Sequence, residues 1–260
     1  MPWNVADHKR KFLVSPGRGV DASGRLSTEE LVFWGEWEAP SHIERRWLAS
    51  GRLPRALHRP YWITPENTTF RQNTDPWIWG EHMIYSNCKQ IVGPTRQATS
   101  MQRLSPGSVI CFGSTIAEEF CLDTVLVIAS AEPWVPANAR VLDVDDAFVT
   151  CTADSVVTRP TDGQLELTLY RGATVENPID GMYSFAPALM ADHPSARFAR
   201  PSVTLPGLIN PASRQSTWGS KRPLDAAEVH TAWRAVADQV LASGLVLGVS
   251  FAVPERRDGR

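Results

Sequence analysis

No stretch of the chain approaches the roughly 18 consecutive apolar residues that a membrane-spanning helix requires, so no membrane role is expected. The first ten residues carry no apolar core behind a basic head, and no secretory signal is expected either. Cysteine is scarce, with residues 88, 111, 121 and 151 the only four. None of them forms the C-x2-4-C pair that zinc sites favour, so neither a metal nor any other cofactor is expected. Four unpaired thiols fit a reducing compartment, and the expected localisation is cytoplasmic. The chain has no phosphate-binding G-x-x-x-x-G-K-[ST] loop, no G-x-G-x-x-G and no G-x-S-x-G elbow. Common ATPases, dehydrogenases and esterases are thereby disfavoured. Net charge is nearly absent, with 26 basic against 28 acidic residues, which argues against a bulk duplex-DNA binder. At 260 residues and 43% hydrophobic composition, the chain can bury a substantial core.

Two excesses stand against these absences. Arginine outnumbers lysine 22 to 4. A GC-rich genome would produce this bias, and so would recognition of phosphate or carboxylate by the planar guanidinium. Tryptophan occurs ten times, more often than phenylalanine at nine. Six fall in one window, Trp34, Trp37, Trp47, Trp62, Trp77 and Trp79. Such a cluster is either an unusually aromatic core or a stacking pocket.

Residues 11–15 read as a short strand, followed by a plain turn at Pro16-Gly17-Arg18-Gly19. The run LVFWGEWE, residues 31–38, reads as a strand. Period two places Leu31, Phe33, Gly35 and Trp37 on one face and Val32, Trp34, Glu36 and Glu38 on the other. Ser41 with Glu44 three residues later has the form of a capping box, and a helix is expected to start there and stop at Gly51. Residues 108–112 and 120–129 are strand candidates, joined through residues 113–119 as an antiparallel pair or across a short helical turn. Asp123 interrupts the second run and requires a partner or a surface. Residues 141–170 read as β with turns, with 164–170 alternating cleanly. Residues 193–224 read as a long loop. Asp225 and Glu228 cap a helix whose apolar stripe is Val229, Trp233, Val236 and Val240, stopped by Gly244. A final strand follows from residue 245.

Few helices and many short strands give an α+β class with a curved or barrel-like mixed sheet. The chain is expected to form a single domain over residues 1–260.

Several constellations could carry chemistry. Glu36 and Glu38, two apart on a strand, would stand roughly 6.5–7 Å apart, within the range of acid/base carboxylate pairs. The turn Asn73-Thr74-Asp75-Pro76 would feed polar groups to a pocket walled by Trp77 and Trp79. Lys89 and Gln90 are candidate ligands to a base or anion. Cys88 beside Lys89 is a weaker candidate for a nucleophile. The segment 45–59 carries five arginines, with Arg45, Arg46 and Arg55 the suggested phosphate contacts. The segment 193–224 carries Arg197, Arg200, Arg214, Lys221 and Arg222 with no acid.

The segments SPGSVICFGS and FCLDTVLVIASAEPW resemble those of PUA-like domains, the superfamily of the EVE, ASCH and YTH modules. FWGEWEAPS, NTDPWIWGE and YSNCKQ are similar to a nucleotide-modification-associated family. The resemblance covers about residues 30–130. It implies a small β-barrel core at about 30–150 that binds RNA or modified bases, with a C-terminal β/helix extension at 151–260. On that reading the protein binds a nucleotide or modified base. Trp34, Trp37, Trp77 and Trp79 would stack, Glu36, Asp75, Lys89 and Gln90 would read polar edges, and Arg45 and Arg46 would hold phosphate. The alternative is a metal-independent enzyme acting on a nucleotide or N-glycosidic bond with Glu36, Glu38 or Asp75 as acid and base.

Overall fold

The computed structural model describes residues 10–48, 50–51, 53–64, 73–93, 95–157, 160–209 and 223–257. It is a mixed α+β fold built on two sheets. The larger holds β1 (Arg10–Val20), β2 (Leu26–Glu36), β3 (Ser41–Arg46), β4 (Ala56–Pro60), β9 (Ala186–Met190) and β10 (Val246–Phe251), in the order β10-β9-β2-β1-β4-β3. The smaller is a four-stranded antiparallel sheet of β5 (Ile84–Tyr85), β6 (Val109–Ile116), β7 (Glu119–Trp134) and β8 (Leu167–Gly172), in the order β5-β8-β7-β6. Most pairings are antiparallel, but β4 runs parallel to β1.

In the larger sheet β10 pairs with both β9 and β1, while β2 pairs with both β1 and β9. Those four strands therefore close a ring of pairings. So tight a turn of sheet needs positions without a side chain. A Cβ at Gly17 would lie 2.5 Å from the Ser250 carbonyl oxygen, and one at Gly248 would meet the Phe251 ring at 2.6 Å. This corrects the turn expected at residues 16–19. The glycines there let a continuous strand bend against its neighbour, with Gly17 opposite Phe251 and Gly19 opposite Gly248.

β2 lies between two cores, which is why its apolar run is continuous rather than alternating. Leu31 and Phe33 enter one core with Trp37, Trp77, Trp79, Phe148 and Leu169. Val32 enters the other with Val125, Val127 and the C-terminal helix, Ala226–Ala242. That helix keeps its expected capping box at Asp225 and Glu228, and Trp233, 4% exposed, packs into the core. The Trp233 indole N–H donates to the Tyr183 carbonyl at 3.0 Å.

The expected pairing of 108–112 with 120–129 is present and longer than anticipated. β6 and β7 are joined by only Ala117 and Glu118, both at positive φ (51° and 67°), the signature of a tight two-residue hairpin loop. Two further segments differ from the sequence reading. Residues 41–46 form β3, not a helix. Ser41 faces the His58 ring at 3.2 Å across the hairpin, and Glu44 is drawn to Arg59, so both supposed capping groups have cross-strand partners. Within 141–170, Asp146–Phe148, Val149–Ala153 and Asp154–Val156 are helical, the middle piece a π turn. Their buried Phe148, Val149, Cys151 and Ala153 cover the tryptophan core. No helix among the described residues is long and apolar enough to cross a membrane.

Candidate functional site

The clustered tryptophans form the core between the sheets. Trp37, Trp77 and Trp79 are at most 1% exposed. Their rings pack edge-on or tilted, with centroids 4.7–6.0 Å apart. The Trp37 indole N–H donates to the Pro40 carbonyl at 2.8 Å, while those of Trp77 and Trp79 are buried with no hydrogen-bond partner. Each ring's face is covered by protein, so no surface is left for a base to stack on. Trp34 and Trp47 do not join this cluster: both are half-buried against the second core, with Val32 and Leu122, and the Arg200 guanidinium lies 5.6 Å from the Trp34 ring centroid.

Asp75 sits behind this core, 2% exposed. Its carboxyl accepts backbone N–H bonds from Ser86 at 2.9 Å, Asn87 at 3.0 Å and Cys88 at 2.6 Å. Burial nevertheless pushes its pKa up to about 6, with the neighbouring charge of Glu36 contributing. Glu38 accepts the Asn73 N–H at 3.0 Å, and Asn73 donates its side-chain amide to Asn87 at 3.0 Å. Burial raises the Cys88 thiol well above its usual value, with Asp75 and Glu36 adding to the effect. Cys88 is thus held as a thiol, which removes it as a nucleophile at neutral pH.

The second group of charges lines a narrow cleft between the two sheets. Arg10, Gly35, Glu36, Pro76, Ile78, Phe112, Asp123 and Thr124 surround a space with room for about one water molecule. Asp123 owes its place to a bulge. Phe112 pairs with Thr124 and Gly113 with Leu122, so Asp123 is the extra residue on β7. The slip re-aims one side chain out of an apolar run. Arg200 grips the Asp123 carboxylate with its Nε at 2.8 Å and also bonds the Ser114 hydroxyl at 2.7 Å. Arg10 lies 3.3 Å from the other Asp123 oxygen and 3.6 Å from Glu36. Burial pushes Asp123 up to about 6 against the opposing pull of Arg200 and Arg10. This answers the demand for a partner that the sequence raised at Asp123.

A third group faces solvent. Arg45 and Arg46 are exposed on β3, and Arg55 is exposed just before β4. Arg59 is occupied by Glu44 at 2.7 Å and Glu30 at 2.7 Å. His58 across the hairpin has its pKa lowered by burial and then by the nearby charges of Lys11, Arg46 and His42, which records a locally positive field. Tyr61 continues this surface, with its ring stacked on His42 at 6.3 Å and the Arg257 guanidinium 4.7 Å from its centroid.

The structure thus separates residues that the sequence reading grouped. The expected strand over 31–38 stops at Glu36, the end of β2, and Glu38 lies beyond it: Glu36 turns to the cleft and Glu38 to Asn73, so the two do not form a pair on one strand face. Lys89 is exposed at a left-handed turn, φ 65°. Gln90 is fully buried, its amide exchanging bonds with the Thr168 backbone at 2.6 and 2.8 Å in the manner of a strand neighbour. Arg197 is anchored to the Pro54 carbonyl at 2.7 Å and lies over Trp47. Arg52, Arg214, Lys221 and Arg222 lie outside the described residues. Arg10 was missed as a site residue, and Arg200, noted in the basic segment 193–224, was not foreseen as the partner of Asp123. Their signal was the lone acid Asp123, whose partners sit 113 and 77 positions away in the chain.

Fold and site together define a mixed α+β protein with a buried ion cluster between two sheets and a basic outer hairpin. Compared with protein-family models, with curated proteins and with solved structures, the chain matches none.

The raised carboxyls have a measurable consequence. Asp75 holds its proton more tightly folded than unfolded, so its neutral form contributes stability below pH 4 that is lost as pH rises through about 6. Replacing Asp75 by Asn removes that titration. Urea unfolding from pH 4 to pH 6.5 is expected to show wild type losing on the order of 2 kcal/mol relative to Asp75→Asn. Identical pH profiles for the two proteins would contradict this account of Asp75.

Proposed function

We propose that the chain binds the phosphates of a nucleotide or nucleic acid on the β3–β4 hairpin. The observation that carries this reading is the exposed set Arg45, Arg46 and Arg55, beside His58, whose pKa is lowered by burial first and then by the nearby Lys11 and Arg46. Guanidinium groups suit phosphate through their planar fork. Tyr61, half-exposed between His42 and Arg257, offers an aromatic ring beside those charges. The modified-base part of the proposal falls to Trp34, covered by Arg200, and to Glu36, which lines the cleft; a base would have to displace Arg200 from the indole. The likeness to PUA-like domains supports the same reading. Four free cysteines support a reducing, cytoplasmic setting.

A test is titration of a labelled single-stranded oligonucleotide at several salt concentrations. Binding should weaken with salt, and the triple variant Arg45→Ala/Arg46→Ala/Arg55→Ala should flatten the logarithmic slope by about 2–3. Binding insensitive to salt, or a slope the variant leaves unchanged, would remove the hairpin from the proposal.

A second reading is favoured by one observation. Glu36 acts electrostatically on both Asp75 and Asp123, and both are raised to about 6, a value suited to proton transfer near neutrality. On that reading Glu36, Glu38 or Asp75 serves as acid and base toward a nucleotide or N-glycosidic bond, and of the three Glu36 is the one that lines the cleft.

A further inference from the structure

Among the described residues, the smaller sheet ends in a strand whose outer edge is open. On β7, Val125 exchanges backbone bonds with Phe185, Val127 accepts from Ala173, Leu122 donates to Pro201, and Phe120 accepts from Val203. All four therefore direct their backbone groups away from β6. Their partners across the hairpin are Cys111, Val109, Gly113 and Thr115. In an antiparallel pair both residues of such a position point outward. The N–H and C=O groups of Val109, Cys111, Gly113 and Thr115 thus form a regular outward row. Among the described residues no segment pairs with them. The bulge between Phe112 and Gly113 leaves this row intact, because its extra residue is on β7.

The composition of that edge is unusual. β6 reads VICFGSTI, eight residues without a charge or a proline. The other long edge among the described residues, β3, reads SHIERR, with Glu44 as an extra bulged residue and Arg45 and Arg46 exposed. Charges and bulges are the means by which sheet edges are kept apart. β3 has both, and β6 has neither on its own strand.

We infer that β6 is a self-association edge, pairing antiparallel with β6 of a second copy of this chain to make one continuous eight-stranded sheet. A second copy fits by symmetry. A two-fold axis at Phe112 sets Cys111 against Gly113 of the second copy and Val109 against Thr115, which places all four outward positions in register. Phe112, half-buried, then faces its own equivalent, an aromatic cross-strand pair. No like charges oppose each other anywhere along the ladder. Glu118 in the loop and Glu119 at the start of β7 fall outside it, those of the two copies at opposite ends.

Sedimentation equilibrium of the full chain over a wide concentration range tests this. A concentration-dependent dimer is expected. Thr115→Pro removes two hydrogen bonds per dimer and, because the Thr115 N–H points outward, leaves β6–β7 pairing in place. It should weaken dimerisation by about tenfold or more, while Thr115→Val leaves it unchanged. Hydrogen exchange supplies a second readout, with the Val109, Cys111, Gly113 and Thr115 amides slowing as concentration rises. A monomer at every concentration, or a dimer indifferent to Thr115→Pro with those amides unprotected, overturns the inference. An extended peptide from another protein as the natural occupant would give the first of these results.

Discussion

Arg200→Ala is expected to lower stability by about 3–5 kcal/mol at pH 7, among the largest effects of any single change in this fold. The reason is what it leaves behind. Asp123 is 4% exposed, and Arg200 is its nearest cation. Arg10 remains, but 3.3 Å from one oxygen and more exposed to water. Removing the guanidinium strands a carboxylate between two sheets. The same change uncovers the Trp34 face and frees the Ser114 hydroxyl. Two features separate this cause from lost packing. The penalty should shrink below pH 6, where Asp123 can take a proton. It should also shrink in the double variant Arg200→Ala/Asp123→Asn, which has no charge to strand. Urea denaturation at pH 5 and pH 7 measures both. A loss below about 1 kcal/mol, or one independent of pH, would show that the ion cluster does little to hold the sheets together.

Trp79→Ala should cost about 3–5 kcal/mol, the range for deleting a large buried aromatic. Its ring contacts Trp37, Trp77 and Phe33 at centroid distances of 4.7, 5.0 and 6.3 Å. A core ring and a cage ring differ in what their loss does. If Trp79 belongs to the core, the variant unfolds at lower urea, and its folded fraction binds an oligonucleotide as wild type does. A cage ring would give the reverse, with nearly full stability and lost affinity of roughly 1–3 kcal/mol. Midpoints and binding constants measured on the same samples decide between them.

How much of this was readable follows from the range of each interaction. The C-terminal helix was legible because its capping box, apolar stripe and terminal glycine all act within a few residues. The β6–β7 hairpin was legible for the same reason. The segment at Ser41 was not, because its local capping signal lost to a ladder with β4, and a ladder is invisible until the partner strand is known. The glycines at 17 and 19 carry two meanings, a turn or a bend in a closed ring, and only the approach of β10 selects one. Tryptophan count announced an aromatic cluster without saying whether it was open. The structure closes it because the helical residues 146–156 lie over Trp77. Asp123 gave the clearest functional hint, a charge in an apolar run, yet its partners come from the first described residue and from a loop beyond β9.

The central claim, that ligand phosphate meets the β3–β4 hairpin, is tested most directly by hydrogen exchange with and without a single-stranded oligonucleotide, with mass analysis of the recovered ligand. The account predicts slowed exchange across residues 41–60 and an intact ligand. Unchanged exchange there, with slowing confined to residues 34–38 and 121–125 or a chemically altered ligand, would contradict it and transfer the function to the carboxylates of the cleft.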